Sequence, residues 1–176
     1  MKNFNDFGKS VAIYHGYGGG GGKIIPRFMK SVGFDKIHYP EINYDREWYL
    51  DKCKSMFNRE LRNIKDIDLI IGFSLGGYTA FELAGQLSKN LILVNPAIDR
   101  SKTLLDIKSF DISPIRNFSG VEVYLGSEDD LIDGQWTIDY LHKLNIDSDI
   151  YVVNGMEHNT SISEFRKIIN NSKFCK

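Results

Sequence analysis

No apolar run in this chain approaches the length of a membrane span. The longest, such as NLILV at 90–94, extend over only a few residues, against the about 20 that a spanning helix requires. Cysteine is scarce: Cys53 and Cys175 are the only two. Cys53 falls in an amphipathic stretch and Cys175 is penultimate, so neither a disulfide framework nor a cysteine metal site is expected, and a reducing, cytoplasmic setting is. The opening MKNFNDFGKS is polar and lacks the apolar centre of a secretory leader. Neither sign of charge dominates, with 22 basic against 23 acidic side chains and a formal net charge of -1. That balance gives no electrostatic basis for a nucleic-acid or membrane-surface partner. There is no internal repeat and no linker-like segment, and 176 residues fit one domain over 1–176.

What is present is a regular alternation of elements. Apolar runs rich in β-branched residues occur at Ser10–Tyr14, Lys36–Tyr39, Asp68–Gly72, Asn90–Val94, Val121–Leu125 and Asp149–Val153. Between them lie stretches with helical spacing at Lys23–Val32, Arg46–Ile64, Gly77–Leu87 and Gln135–Leu144, and Ser161–Ile169 closes the chain. Near-continuously apolar strands separated by crossover helices make a parallel sheet covered on both faces. The expectation is a three-layer α/β/α sandwich with a mostly parallel sheet of about six strands. The region Ala97–Ser119, with weak helical tendency around Thr103–Ile107, is too short for a separate cap domain.

The most informative stretch is Gly72-Phe73-Ser74-Leu75-Gly76-Gly77. It fits G-x-S-x-G between a strand and a helix, the context that turns a common pattern into a nucleophile turn. Ser74 then sits on a sharp strand-to-helix bend, where side chains at Gly72 and Gly76 would collide with the turn. Gly77 allows the helix to pack close to the sheet. The bend lifts Ser74 Oγ to the carboxyl edge of the sheet and aims the Leu75 N–H, at a helix N-terminus, toward a developing oxyanion.

His15-Gly16-Tyr17-Gly18 follows the first strand. The Tyr17 N–H is the candidate second oxyanion donor, and His15 is expected to brace the loop through backbone hydrogen bonds. The same glycines permit another reading. Gly16-x-Gly18-x-x-Gly21 fits a dinucleotide fingerprint, with Glu41 about twenty residues on. A run of five glycines, Gly18–Gly22, satisfies many such patterns by accident. The phosphate-loop pattern fails, because Lys23 is followed by Ile24.

Serine needs a base to take its proton, and neutral imidazole serves near neutral pH. Of the four histidines, His142 falls within a helix and His38 within a strand. Only His158 lies in a loop after the last strand. A carboxylate must orient that ring. Glu128, Asp129, Asp130 and Asp133 cluster after the preceding strand. Asp129 is preferred, Asp130 is the alternative, and Asp133 is better placed as a helix N-cap. The chain order Ser, Asp, His is the one used by α/β-hydrolases.

These motifs resemble the α/β-hydrolase superfamily over nearly the whole chain, and more closely the small bacterial YqiA-like esterases. The likeness is carried by His15-Gly16-Tyr17, Gly72-Phe73-Ser74-Leu75-Gly76-Gly77-Tyr78, Val94-Asn95-Pro96-Ala97, Gly126 with Asp129, and Gly155 with His158. The resemblance implies the minimal α/β-hydrolase fold and a Ser74–His158–Asp129 triad. It also implies cleavage of small-molecule carboxylic esters or thioesters without metal or organic cofactor. The glycine run departs from the family's more ordinary loop. Without a cap, the site is expected to be open to small or exposed acyl groups, with Tyr17, Tyr78 and Trp136 as candidate walls. An acyltransferase with the same triad, a catalytically inactive binding relative and a nucleotide binder are the alternatives. Oligomeric state is not readable from the sequence.

Overall fold

The computed structural model describes residues 9–20, 22–44, 50–99 and 117–176. Strands β1 (Lys9–Tyr14), β2 (Phe34–His38), β3 (Leu69–Phe73), β4 (Asn90–Val94), β5 (Gly120–Glu128) and β6 (Asp149–Glu157) alternate with helices α1 (Ile24–Ser31), α2 (Leu50–Asn63), α3 (Ser74–Leu87), α4 (Gly134–Lys143) and α5 (Ile162–Asn171). The six strands form one sheet in the order β2-β1-β3-β4-β5-β6. Every pairing is parallel. None of the described helices is long and apolar enough to cross a membrane.

Strand alternation sorts the core into two layers. Val11 and Ile13 face one side with Phe28 and Met29 of α1 and Phe165 and Ile168 of α5. Ala12 and Tyr14 face the other with Met56 and Phe57 of α2, Phe81 and Leu83 of α3, and Leu141 of α4. The three-layer expectation is met, and the sheet is wholly parallel.

Element ends differ from expectation in an instructive way. Helix α3 begins at Ser74, three residues before the expected Gly77, because the glycines allow the turn itself to be helical. β5 and β6 run on past Leu125 and Val153 into the polar, glycine-containing segments GSE and NGME. The ladder continues through them, from Gly126 opposite Val153 to Glu128 opposite Glu157, across a register shift. A hydropathy pattern does not reveal such pairing. The expected start of the second helix at Arg46, together with Trp48, and the Thr103–Ile107 tendency lie outside the described residues. So does Gly21, and so does all but the ends of Ala97–Ser119.

Candidate active site

Parallel strands end in the same direction, so the segments after β1, β3, β5 and β6 meet along one rim of the sheet. Ser74, the first residue of α3, has φ of 48°. That left-handed backbone is uncommon for any residue but glycine and costs on the order of 1–3 kcal/mol. Close packing enforces it. A Cβ on Gly72 would lie 2.5 Å from Ala80 Cβ, and one on Gly76 would overlap the carbonyl oxygens of Tyr14 and His15. Phe73 provides no side-chain cap, so the first N–H groups of α3, including that of Leu75, point unclaimed by a capping side chain.

His158 stands one residue beyond β6. Its Nε2 is 2.9 Å from Ser74 Oγ. Its Nδ1 is 2.9 Å from Asp129 Oδ2 and 3.0 Å from Oδ1. An ionised carboxylate only accepts, so Nδ1 carries the proton, leaving Nε2 to accept from the Ser74 hydroxyl. Asp129 is itself oriented: Oδ1 accepts the N–H groups of Leu131 and Ile132, each at 2.9 Å. Both side chains are shielded, with 11% of His158 and 3% of Asp129 exposed. Asp130 is exposed. Asp133 caps α4 by accepting the Gln135 N–H at 2.9 Å.

The loop after β1 stands on the serine. A Cβ on Gly16 would be 3.0 Å from Ser74 Cβ, which brings the Gly16–Tyr17 backbone beside the hydroxyl. His15 is buried and ties this loop, through one ring nitrogen, to the segment after β2, through the other. Nε2 accepts the Ile42 N–H at 3.0 Å, so Nδ1 donates to the Gly16 carbonyl at 2.7 Å. The Gly16 carbonyl also receives the Gly19 N–H at 3.1 Å. Gly20, with φ of 105°, packs so tightly on the ring that a Cβ would fall 2.5 Å from Nε2. Gly19 and Gly20 thus close down on an imidazole.

A cavity of about 820 Å³ opens at Ser74 and His158. Its walls are predominantly apolar, drawn from Ile24 and Ile25 of α1, Leu131 and Ile132 after β5, and Ile162 and Phe165 of α5. Phe73 and Phe165 meet edge to face at 5.1 Å. No Lys, Arg, Asp or Glu is among the described residues that line it. Tyr17 lies on this cavity and is 61% exposed. Tyr78 and Trp136 do not line it, which corrects their expected role as walls. The cavity is walled by α1 and α5. Tyr78 points to the opposite face of the sheet, buried against Phe57 at 6.2 Å. Trp136 belongs to α4, whose Leu141 packs on that same opposite face. The aliphatic walls escaped the sequence reading. The available signals were Ile24-Ile25 straight after the glycine run and Ile162 and Phe165 straight after the histidine loop.

A second polar cluster was also missed. Glu60, 1% exposed in its side chain, accepts from Tyr14 Oη at 3.0 Å and pairs with His38 Nε2 at 2.6 Å and Arg59 Nε at 3.0 Å. Burial raises its carboxyl pKa, but the bonds from His38, Arg59 and Tyr14 outweigh that and hold it below the usual value.

The model of an uncharacterised protein family, UPF0227, matches residues 27–107. The match carries the likeness to YqiA-like proteins expected from the motifs. It includes the Ser74 turn and ends before Asp129 and His158. No curated protein sequence matches the chain. Among solved structures, the fluorophosphonate-binding serine hydrolase F of Staphylococcus aureus has a TM-score of 0.68 at 13% identity, covering 99% of this chain and 88% of that one. Est1E from Butyrivibrio proteoclasticus has a TM-score of 0.67 at 14% identity, covering 94% and 86%. Esterase PE8 has a TM-score of 0.65 at 17% identity, covering 91% and 89%. At these identities the likeness establishes the fold, that of the α/β hydrolases.

Proposed function

Starting from a chain with the α/β-hydrolase fold and a UPF0227-like segment, we propose that it is a serine hydrolase of carboxylic esters or thioesters. The observation that carries this reading is the unbroken hydrogen-bond chain from Ser74 Oγ through the His158 ring to Asp129. Ser74 Oγ attacks the acyl carbonyl while His158 Nε2 takes its proton. Asp129 holds the tautomer and stabilises the imidazolium as it forms. The N–H groups of Leu75 and Tyr17 receive the oxyanion of the tetrahedral intermediate. His158 returns the proton to the leaving alkoxide or thiolate, and water, deprotonated by the same ring, releases the acid from Ser74. No step calls on a metal or organic cofactor.

The cavity favours an apolar acyl group. Its volume exceeds what an acetyl group needs, and its walls offer aliphatic and aromatic surface instead of charge. Each methylene buried there contributes about 0.8 kcal/mol. The substrates proposed are therefore small neutral esters or thioesters whose acyl chain lies along Ile24, Ile162 and Phe165.

The test is a panel of p-nitrophenyl esters of increasing chain length, run on the wild type and Ser74→Ala, with fluorophosphonate labelling alongside. Ser74 is expected to take the label, and the alanine variant to lose activity by several orders of magnitude. An alanine variant as active as the wild type disproves the proposal.

A further inference from the structure

We propose that Asn95, one residue past β4, is a positioning residue that holds the base and the acid in register with Ser74. The inference rests on the hydrolase reading above. Asn95 is 2% exposed and has φ of 43°, a left-handed backbone that asparagine tolerates better than most residues. Its backbone N–H donates to the Tyr124 carbonyl of β5 at 2.9 Å. Its Oδ1 accepts the Gly126 N–H at 2.7 Å. Its Nδ2 donates to the carbonyl of Glu157 at 2.8 Å and to that of His158 at 3.3 Å. The neighbours fix the orientation of the amide, since an N–H lies on one side and carbonyls on the other.

One buried carboxamide therefore joins the ends of three strands. On one side it grips the carbonyl of the base itself. On the other it grips Gly126, whose carbonyl receives the Asp129 N–H at 3.4 Å. Gly126 leaves no space for a side chain, since a Cβ there would overlap the Met156 carbonyl. Two residues on, the Ala97 N–H donates to the Ser74 carbonyl at 2.9 Å. The short loop after β4 thus bonds to the backbone of Ser74 and His158 directly and reaches that of Asp129 through Gly126, without touching the reacting atoms.

The left-handed backbone permits a clean substitution. Asn95→Gly keeps the conformation and deletes the clasp. Asn95→Asp keeps the acceptor for Gly126 but sets a carboxylate against the Glu157 and His158 carbonyls. In both variants kcat is expected to fall on the order of 100-fold, with KM within about twofold, because the loss lies in placing the ring and not in binding substrate. The downfield proton resonance of the His158 Nδ1–H bonded to Asp129 should broaden or disappear in both.

Melting curves give the folded fraction for each variant, and should Asn95→Gly not fold, Asn95→Asp carries the same prediction. The proposal is overturned if a folded variant keeps kcat within about twofold of the wild type, or if the loss merely follows the folded fraction. If the wild type and Ser74→Ala are equally active, the hydrolase reading fails instead, which keeps the two failures apart.

Discussion

Gly76 and His15 are in backbone contact: a Cβ at residue 76 would overlap the His15 carbonyl oxygen. The helix that begins on Ser74 is thereby pressed against the strand end that carries the Gly16–Tyr17 backbone. Gly76→Ala has to part these two segments. Overpacking of this kind costs about 1–3 kcal/mol, and it displaces one proposed oxyanion donor relative to the other. The expected result is a lower denaturation midpoint together with a fall in kcat/KM of more than about tenfold, since one misplaced donor alone costs that much or more. Chemical denaturation and initial rates on one ester check both.

Asp129 and Asp130 are adjacent in sequence but occupy different surroundings. Asp129 faces the imidazole, whereas Asp130 is exposed. Asp129→Asn favours the wrong tautomer of His158 and is expected to lower kcat by about 10⁴-fold. Asp130→Asn should leave kcat within about twofold, as is usual for a surface change. Steady-state kinetics on both variants decide which carboxylate orients the base.

The layered sheet and the serine turn were legible in the sequence because local rules govern each, whereas Asp129 and His158 were candidates from their place after β5 and β6, supported by the family resemblance. Apolar runs mark buried strands, and the glycines around Ser74 mark a bend too tight for a Cβ. The walls of the cavity were not legible. Tyr78 and Trp136 stood close to the motifs in sequence, but the face each helix turns to the sheet decided their surroundings. Tyr78 went into the core and Ile162 to the cavity. Nor was the role of Asn95 legible. Asn95-Pro96 reads as a strand stop, and its partners Gly126, Glu157 and His158 become neighbours only after β5 and β6 pair.

Glu60 links stability to pH. Its folded pKa lies below the ordinary value near 4.5, so its contribution is fully present above that value and is lost as pH falls through the folded one. Glu60→Gln is expected to lower stability at neutral pH, since charged hydrogen bonds of this kind contribute about 1.5–3 kcal/mol each. It should also flatten the decline in melting temperature below about pH 4.5. Melting curves from pH 7 to pH 3 on both proteins give the comparison.

The rim of the cavity carries exposed apolar side chains, with Ile24 at 66%, Leu131 at 63% and Ile162 at 40% exposure. Chain-length dependence should reflect them. In the wild type, kcat/KM should rise roughly fourfold per added methylene, the equivalent of 0.8 kcal/mol, until the apolar wall is covered. Ile162→Asp, at an exposed position that tolerates charge, should depress rates on hexanoate and octanoate esters while barely altering acetate. Equal losses on all three esters would remove Ile162 from the acyl path.

The order of strands also has a consequence in time. Among the described strands β6 is the last in order and lies at the border of the sheet, paired with β5 alone. His158 is attached to its end, so a chain emerging in sequence order forms the serine turn before the residue proposed as its base is made. If the proposed reaction holds, ester turnover therefore reports on whether the β5–β6 seam has formed, since the base hangs from it.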